Sequence, residues 1–244
     1  DRIASATFMT TLVDFELAGD LKLFMDENQL ELMGRDMEEK GFFSADSLKR
    51  TFSLLRANDL IWSFVINNYL MGREPFPFDL LYWNDDSTNM PAAMHSFYLR
   101  KLYRDNSLTV PGGVTMQGTP IDIRAIATPC YFLSTKEDHI APWKATYATT
   151  QMVKGPHVFT LAASGHVAGV VNPPARRKYC FWSGERTPAD PEEWLKQATM
   201  EEGSWWPHHA AWLSQHGGGD APARTPDPAA EDAPGRYVKM KAPA

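Results

Sequence analysis

The sequence predicts an α/β fold on three observations. Two short apolar runs, residues 129–134 and 157–161, flank a stretch of helical character and so form a strand-helix-strand unit. A third run, residues 3–13, is rich in β-branched side chains and free of charge, the composition of a strand buried inside a parallel sheet. Each of the two later runs ends in a polar or small-residue loop, and open α/β sheets carry function outside the carboxyl ends of their strands. With 43% apolar and 12% aromatic residues in 244, the chain can bury a sizeable core.

The opening strand is followed by helical patterning. Residues 27–40 are charged and amphipathic, and residues 45–55 place Leu48, Phe52 and Leu55 on one face. Asn58 or Asp59 can cap a helix over 60–71, with Gly72 as its stop. Pro75 and Pro77 exclude regular helix from 74–79, and residues 91–104 read as a further helix. Residues 110–123 read as short strands and turns around Pro111-Gly112-Gly113 and Gly118-Thr119-Pro120. The strand at 129–134 leads into the loop 135–139, and Pro142 opens a helix that runs to about 152. The strand at 157–161 leads into the loop 163–169. Two aromatic-rich segments follow, 179–182 and 204–213, and then a Gly/Ala/Pro-rich stretch, 216–235, with the composition of a flexible linker.

Composition excludes several classes. Thirty acidic against 24 basic residues leave a net charge of −6 with no basic block, so no nucleic-acid partner is expected. No apolar run approaches the ~20 residues that span a bilayer. Two cysteines, Cys130 and Cys180, are too few for a disulfide framework and fit a reducing compartment. His208 and His209 are adjacent and so point to different sides of a helix, which argues against a shared metal ion. No Gly-rich phosphate loop is present, and neither metal nor cofactor is expected. The chain opens at Asp1 inside an apparent core strand, so its sheet neighbours are expected upstream, in a longer protein of which this is the C-terminal part.

The two loops of the strand-helix-strand unit hold the candidate chemistry. One is Thr135-Lys136-Glu137-Asp138-His139-Ile140-Ala141-Pro142, the other Ala163-Ser164-Gly165-His166-Val167-Ala168-Gly169. An acid after one strand and a histidine after the next is the order of an α/β-hydrolase triad: nucleophile, acid, histidine. Spacing alone leaves Glu137 and His139 in competition with Asp138. A solvated polar loop is the plainer alternative.

Four strings resemble polyhydroxyalkanoate synthases, most of all the class I type that prefers short-chain (R)-3-hydroxyacyl-CoA. They are Phe76-Pro77-Phe78-Asp79-Leu80-Leu81-Tyr82-Trp83-Asn84, Lys136-Glu137-Asp138-His139-Ile140-Ala141-Pro142, Ser164-Gly165-His166-Val167-Ala168-Gly169-Val170-Val171-Asn172-Pro173-Pro174 and Gly203-Ser204-Trp205-Trp206-Pro207. The ending Gly235-Arg236-Tyr237-Val238-Lys239 resembles that class too. The resemblance implies an α/β-hydrolase fold: a core strand in 1–16, a helical cap over 17–108, the C-terminal part of the sheet in 109–215 and a flexible tail over 216–244. It implies an acyltransferase that polymerises hydroxyacyl-CoA, 3-hydroxybutyryl-CoA above all, and releases CoA. It further implies Asp138 as triad acid and His166 as triad base, a homodimer of the full-length enzyme, and a cytoplasmic setting at the surface of polymer granules.

The sequence departs from that family in one respect. The family's nucleophile is a cysteine in Gly-x-Cys-x-Gly. Cys130 sits in Thr128-Pro129-Cys130-Tyr131 and Cys180 in Lys178-Tyr179-Cys180-Phe181. Cys130 reads as an inert thiol within a core strand. The nucleophile elbow is therefore expected before residue 1, and the chain alone is expected to be inactive. The aromatics of the helical stretch (Trp62, Phe64, Tyr69, Phe76, Phe78, Tyr82, Trp83) and Trp205, Trp206 and Trp212 read as packing residues. A thioesterase or polyester depolymerase of the same fold, or a non-catalytic granule-associated or dimerisation module, are the competing functions.

Overall fold

The computed structural model describes residues 2–55, 57–75 and 88–240. The string 76–84, with Phe76, Phe78, Tyr82 and Trp83, lies outside them. In chain order the strands are β1 (Ala6–Met9), β2 (Phe42–Phe43), β3 (Met90–Pro91), β4 (Val114–Met116), β5 (Thr119–Ile121), β6 (Cys130–Thr135), β7 (His157–Ala162), β8 (Cys180–Gly184) and β9 (Thr199–Glu202). They belong to two compact units, one of Asp1–Asp26 with Tyr98–Ala221 and the other of Glu27–Phe97 with Pro222–Ala244.

The first unit is built on a five-stranded sheet of order β1-β6-β7-β8-β9. β1, β6 and β7 run parallel, whereas β8 and β9 return antiparallel. Every residue of β6 is buried, its apolar run Cys130–Leu133 and the polar Ser134 and Thr135 alike, as befits a strand covered on both faces. The two faces separate cleanly by alternation. Cys130, Phe132, Phe159 and Leu161 pack with Trp143, Tyr147 and Trp194 on one side. Tyr131, Leu133, Val158, Ala162 and Phe181 pack with Trp205 and Trp212 on the other. Helices Trp143–Tyr147 and Pro191–Gln197 thus cover the first face, and helix Trp206–His216 covers the second. The result is an α/β architecture of three layers.

The second unit contains helices Glu27–Lys40 and Ala45–Leu55. Leu30 and Met37, two turns apart, form the buried stripe of the first. Ser44 begins the second by accepting the Ser47 amide on Oγ at 3.1 Å. The short pair β2–β3 closes beside it, and Phe43 stacks on the buried His95 ring at a 4.5 Å centroid distance.

Several elements differ from the sequence expectation. The opening strand has four residues instead of eleven, because Thr10 turns to φ 45° and ends it. The helix expected over 60–71 is helical through Leu70, but it starts before Asn58 and its turns widen, with Met71 N bonding Ile66 O five residues back. The helix expected over 91–104 is α-helical for Ala92–Phe97 and widens in the same way over Tyr98–Arg104. Of the aromatic segment 179–182, Cys180, Phe181 and Trp182 lie in β8, and β9 is a strand that periodicity did not indicate. Residues 217–236 form no helix or strand. Among the described residues, no helix is long and apolar enough to cross a membrane.

Candidate active site

β6 and β7 are neighbours, so the loops after them open side by side. Two backbone bonds join them: Lys136 N to Ala162 O at 2.8 Å and Glu137 N to Ser164 O at 3.0 Å. Lys136 also lays its ammonium 4.2 Å over the ring of Trp182 on β8, a cation–π contact that pins the first loop to the sheet.

Asp138 folds the first loop around its own carboxylate. Oδ1 accepts the amides of Ile140 at 2.9 Å and Ala141 at 2.8 Å, an Asx-type turn that delivers the chain to Pro142 and its helix. Oδ2 accepts the Thr135 hydroxyl at 3.1 Å and meets His166 Nδ1 at 2.8 Å. The Asp138 side chain is fully buried, whereas that of His166 keeps 30% of its surface exposed. Burial pushes the Asp138 carboxyl up. The hydrogen bonds from His166 and the Ala141 amide, the charge interaction with His166 and the Ile140 amide outweigh it and hold the group below its usual range. Asp138 is therefore an ionised acceptor that fixes one nitrogen of a partly exposed imidazole.

The His166 loop is held by short-range geometry. Ser164 takes a positive φ of 78° to turn the chain out of β7, and Gly169 N returns to Gly165 O at 2.8 Å. Gly169 tolerates no side chain, because a Cβ there would stand 2.5 Å from Thr135 Cγ2 and 2.8 Å from Ala163 O. Beyond it, the buried Asn172 donates to Lys178 O at 3.0 Å and closes the loop.

Of the three acidic or basic residues in competition for the partner of His166, Asp138 makes the bond. Glu137 is exposed, and His139 is half-buried. Cys130 is fully buried at the start of β6, its thiol donating to Thr128 O at 3.1 Å and its pKa pushed up by burial. Asp138 lies beyond the other end of that strand, so Cys130 is ~15 Å or more away along the sheet. Cys180 is half-buried at the start of β8, and its carbonyl accepts from Ala163 N at 2.9 Å, which puts its backbone beside the His166 loop.

His208 and His209 do not come together on a ligand. His208 Nδ1 meets the Tyr131 hydroxyl at 2.8 Å and His209 Nε2 meets Thr7 Oγ1 at 3.0 Å. Burial lowers the pKa of both. Among the described residues no group of three or more His, Cys, Asp or Glu is arranged to hold a metal ion.

Three further residues support the dyad without a sequence signal for it. Thr135 reads from the sequence as the first residue of the loop after the strand, yet it is the last residue of β6 and its hydroxyl donates to Asp138. Trp205 and Trp206 read as packing anchors, yet their indole nitrogens reach the His166 loop, to Gly169 O at 3.1 Å and Val170 O at 2.9 Å.

No protein-family model matches the chain. It is 46% identical over 245 residues to the poly(3-hydroxyalkanoate) polymerase subunit PhaC of Rhizobium meliloti, an alignment covering 99% of this chain and 40% of that protein. It is 45% identical over 251 residues to the protein of the same name from Cupriavidus necator, covering 98% of this chain and 42% of that one. With the poly(3-hydroxyalkanoate) polymerase 2 of Ectopseudomonas oleovorans it shares 37% identity over 97% of this chain and 43% of the relative. The chain thus spans about two fifths of the length of the curated relatives it matches.

Proposed function

We propose that the chain, which is similar along its whole length to poly(3-hydroxyalkanoate) polymerases, is part of such an enzyme and carries the acid and the base of an acyl-transfer triad. The observation that carries this reading is the 2.8 Å bond between His166 Nδ1 and Asp138 Oδ2, with the carboxylate buried and the imidazole partly open. The substrate is a (R)-3-hydroxyacyl-CoA of the 3-hydroxybutyryl type, and the product a polyester with CoA released. Parallel strands with an acid after one and a histidine after the next support an α/β-hydrolase core.

Asp138 accepts from Nδ1–H and so fixes the tautomer in which Nε2 carries the lone pair. Nε2 takes the proton of a cysteine thiol that belongs to a segment outside these residues. The thiolate attacks the thioester carbonyl, the bond to the CoA sulfur breaks, and the imidazolium returns its proton to that sulfur. The 3-hydroxyl of the next monomer then loses its proton to the Asp138–His166 pair and attacks the acyl-cysteine, lengthening the ester chain and freeing the thiol.

Two preparations test the reading through CoA release, followed with a chromogenic disulfide. In the full-length polymerase that contains this chain, His166→Ala removes turnover. The 244-residue chain alone, which has no Gly-x-Cys-x-Gly, releases no CoA from 3-hydroxybutyryl-CoA above background. Turnover by the chain alone that vanishes on Cys180→Ser refutes the external nucleophile.

A further inference from the structure

Two tryptophans at the head of one helix hold two consecutive carbonyls of the loop that carries His166. Trp205 Nε1 donates to Gly169 O at 3.1 Å and Trp206 Nε1 to Val170 O at 2.9 Å. The helix behind them, Trp206–His216, is itself fixed to the sheet. His208 bonds Tyr131 on β6 at 2.8 Å, His209 bonds Thr7 on β1 at 3.0 Å, and Ser204 Oγ accepts the Trp206 amide at 3.1 Å. The two donors are thus mounted on a rigid support.

What they hold is coupled to the dyad by packing. Gly169 sits so close to Thr135 that a Cβ would meet Cγ2 at 2.5 Å, and the hydroxyl of the same Thr135 donates to Asp138 Oδ2. Gly169 N also closes the turn on Gly165 O, the residue before His166. A shift of the 169–170 peptide therefore reaches the acid through Thr135 and the base through Gly165. Donors on consecutive carbonyls fix the orientation of two peptide planes at once, which one bond alone does not.

We propose that Trp205 and Trp206 are positioning residues of the acyl-transfer reaction, their indole N–H groups holding Gly169 and Val170 so that His166 stays in register with Asp138. This rests on the reading of His166 as the base. Neither indole touches the reacting atoms; both act through the loop.

The test uses the full-length polymerase with Trp206→Phe and Trp205→Phe, which keep an aromatic ring and delete the N–H. Trp206 is 38% exposed, so its replacement leaves the core intact, whereas Trp205 is 3% exposed. The expected result is a fall in kcat for CoA release of about tenfold with KM for 3-hydroxybutyryl-CoA within about twofold, as loss of one orienting bond implies. The downfield imidazole N–H proton resonance of the His166–Asp138 bond shifts or broadens in both variants. In a double-mutant cycle, Trp206→Phe adds little to Asp138→Asn, because both act on the same histidine. A purely structural role gives additive losses and an unmoved resonance, and that outcome overturns the proposal. If Trp205→Phe does not fold, Trp206→Phe alone decides. Full activity in His166→Ala defeats the assignment of the base, whereas an inactive His166→Ala beside a fully active Trp206→Phe defeats only the role of the tryptophans.

Discussion

Thr135 and Gly169 pack so tightly that a single added carbon on Gly169 would stand 2.5 Å from Thr135 Cγ2. The contact joins the last residue of β6 to the end of the His166 loop. Gly169→Ala is expected to destabilise the fold by about 1–3 kcal/mol, the usual cost of forcing an atom into a filled site, and to reduce CoA release with it. Thr135→Val keeps the volume but removes the hydroxyl donated to Asp138 Oδ2, costing about 1–2 kcal/mol. Chemical denaturation of both variants checks these values, and an unchanged midpoint in Gly169→Ala contradicts the packing.

The pH dependence of stability carries the mark of Asp138. Its folded pKa is held below the unfolded value, so the stability it contributes is present above ~4 and lost as pH falls through the folded value. Asp138→Asn is therefore expected to flatten the acid limb of a melting-temperature profile. The same variant presents Asn where the carboxylate fixed the His166 tautomer, so kcat drops by ~10³ or more.

Helix Trp206–His216 has its own pH signature. Burial lowers the pKa of His208 and His209, against the raising influence of Glu201 on the first and with the added lowering influence of His208 on the second. Above ~6.5 both are neutral in either state. As pH falls below that, the unfolded chain takes up protons that the folded one resists, and stability declines until the folded values are passed. His208→Gln with His209→Gln is expected to reduce that decline between about pH 7 and 5, leaving the share of the buried His95, whose pKa burial also lowers. Near-ultraviolet circular dichroism follows it, and a decline undiminished in the double variant refutes the assignment.

The two thiols are expected to differ. Cys130 is buried with its pKa pushed up, so an alkylating reagent reaches it only on unfolding, whereas the half-buried Cys180 reacts in the native state. Cys180→Ser in the full-length polymerase keeps nearly all turnover. Peptide mapping after timed alkylation and a CoA-release assay measure the two outcomes.

The central strands were legible because β6 and β7 are nearly unbroken apolar runs, a pattern that needs no knowledge of neighbours. β9, Thr199–Glu202, was not, since an exposed strand with two glutamates matches neither period nor propensity and exists by pairing with β8. The length of β1 was overread because Thr10 has no turn-forming signature, and the widened turns of Tyr98–Arg104 leave no mark on apolar spacing. At the site, Asp138 and His166 were legible as loop residues after adjacent strands, with resemblance choosing Asp138 over Glu137 and His139. Thr135, Trp205 and Trp206 were not. Each of the indole bonds spans 36 residues and depends on where helix Trp206–His216 docks, which no local pattern encodes.

In the proposed reaction His166, held by Asp138, activates a cysteine that this sequence does not supply. A single-turnover measurement on the full-length polymerase addresses it most directly: rapid mixing with 3-hydroxybutyryl-CoA and detection of the first equivalent of CoA. The expected result is a burst in the parent enzyme that slows by ~10³ or more in His166→Ala and persists in Cys180→Ser. A burst at the parent rate in His166→Ala, or its loss in Cys180→Ser, contradicts it.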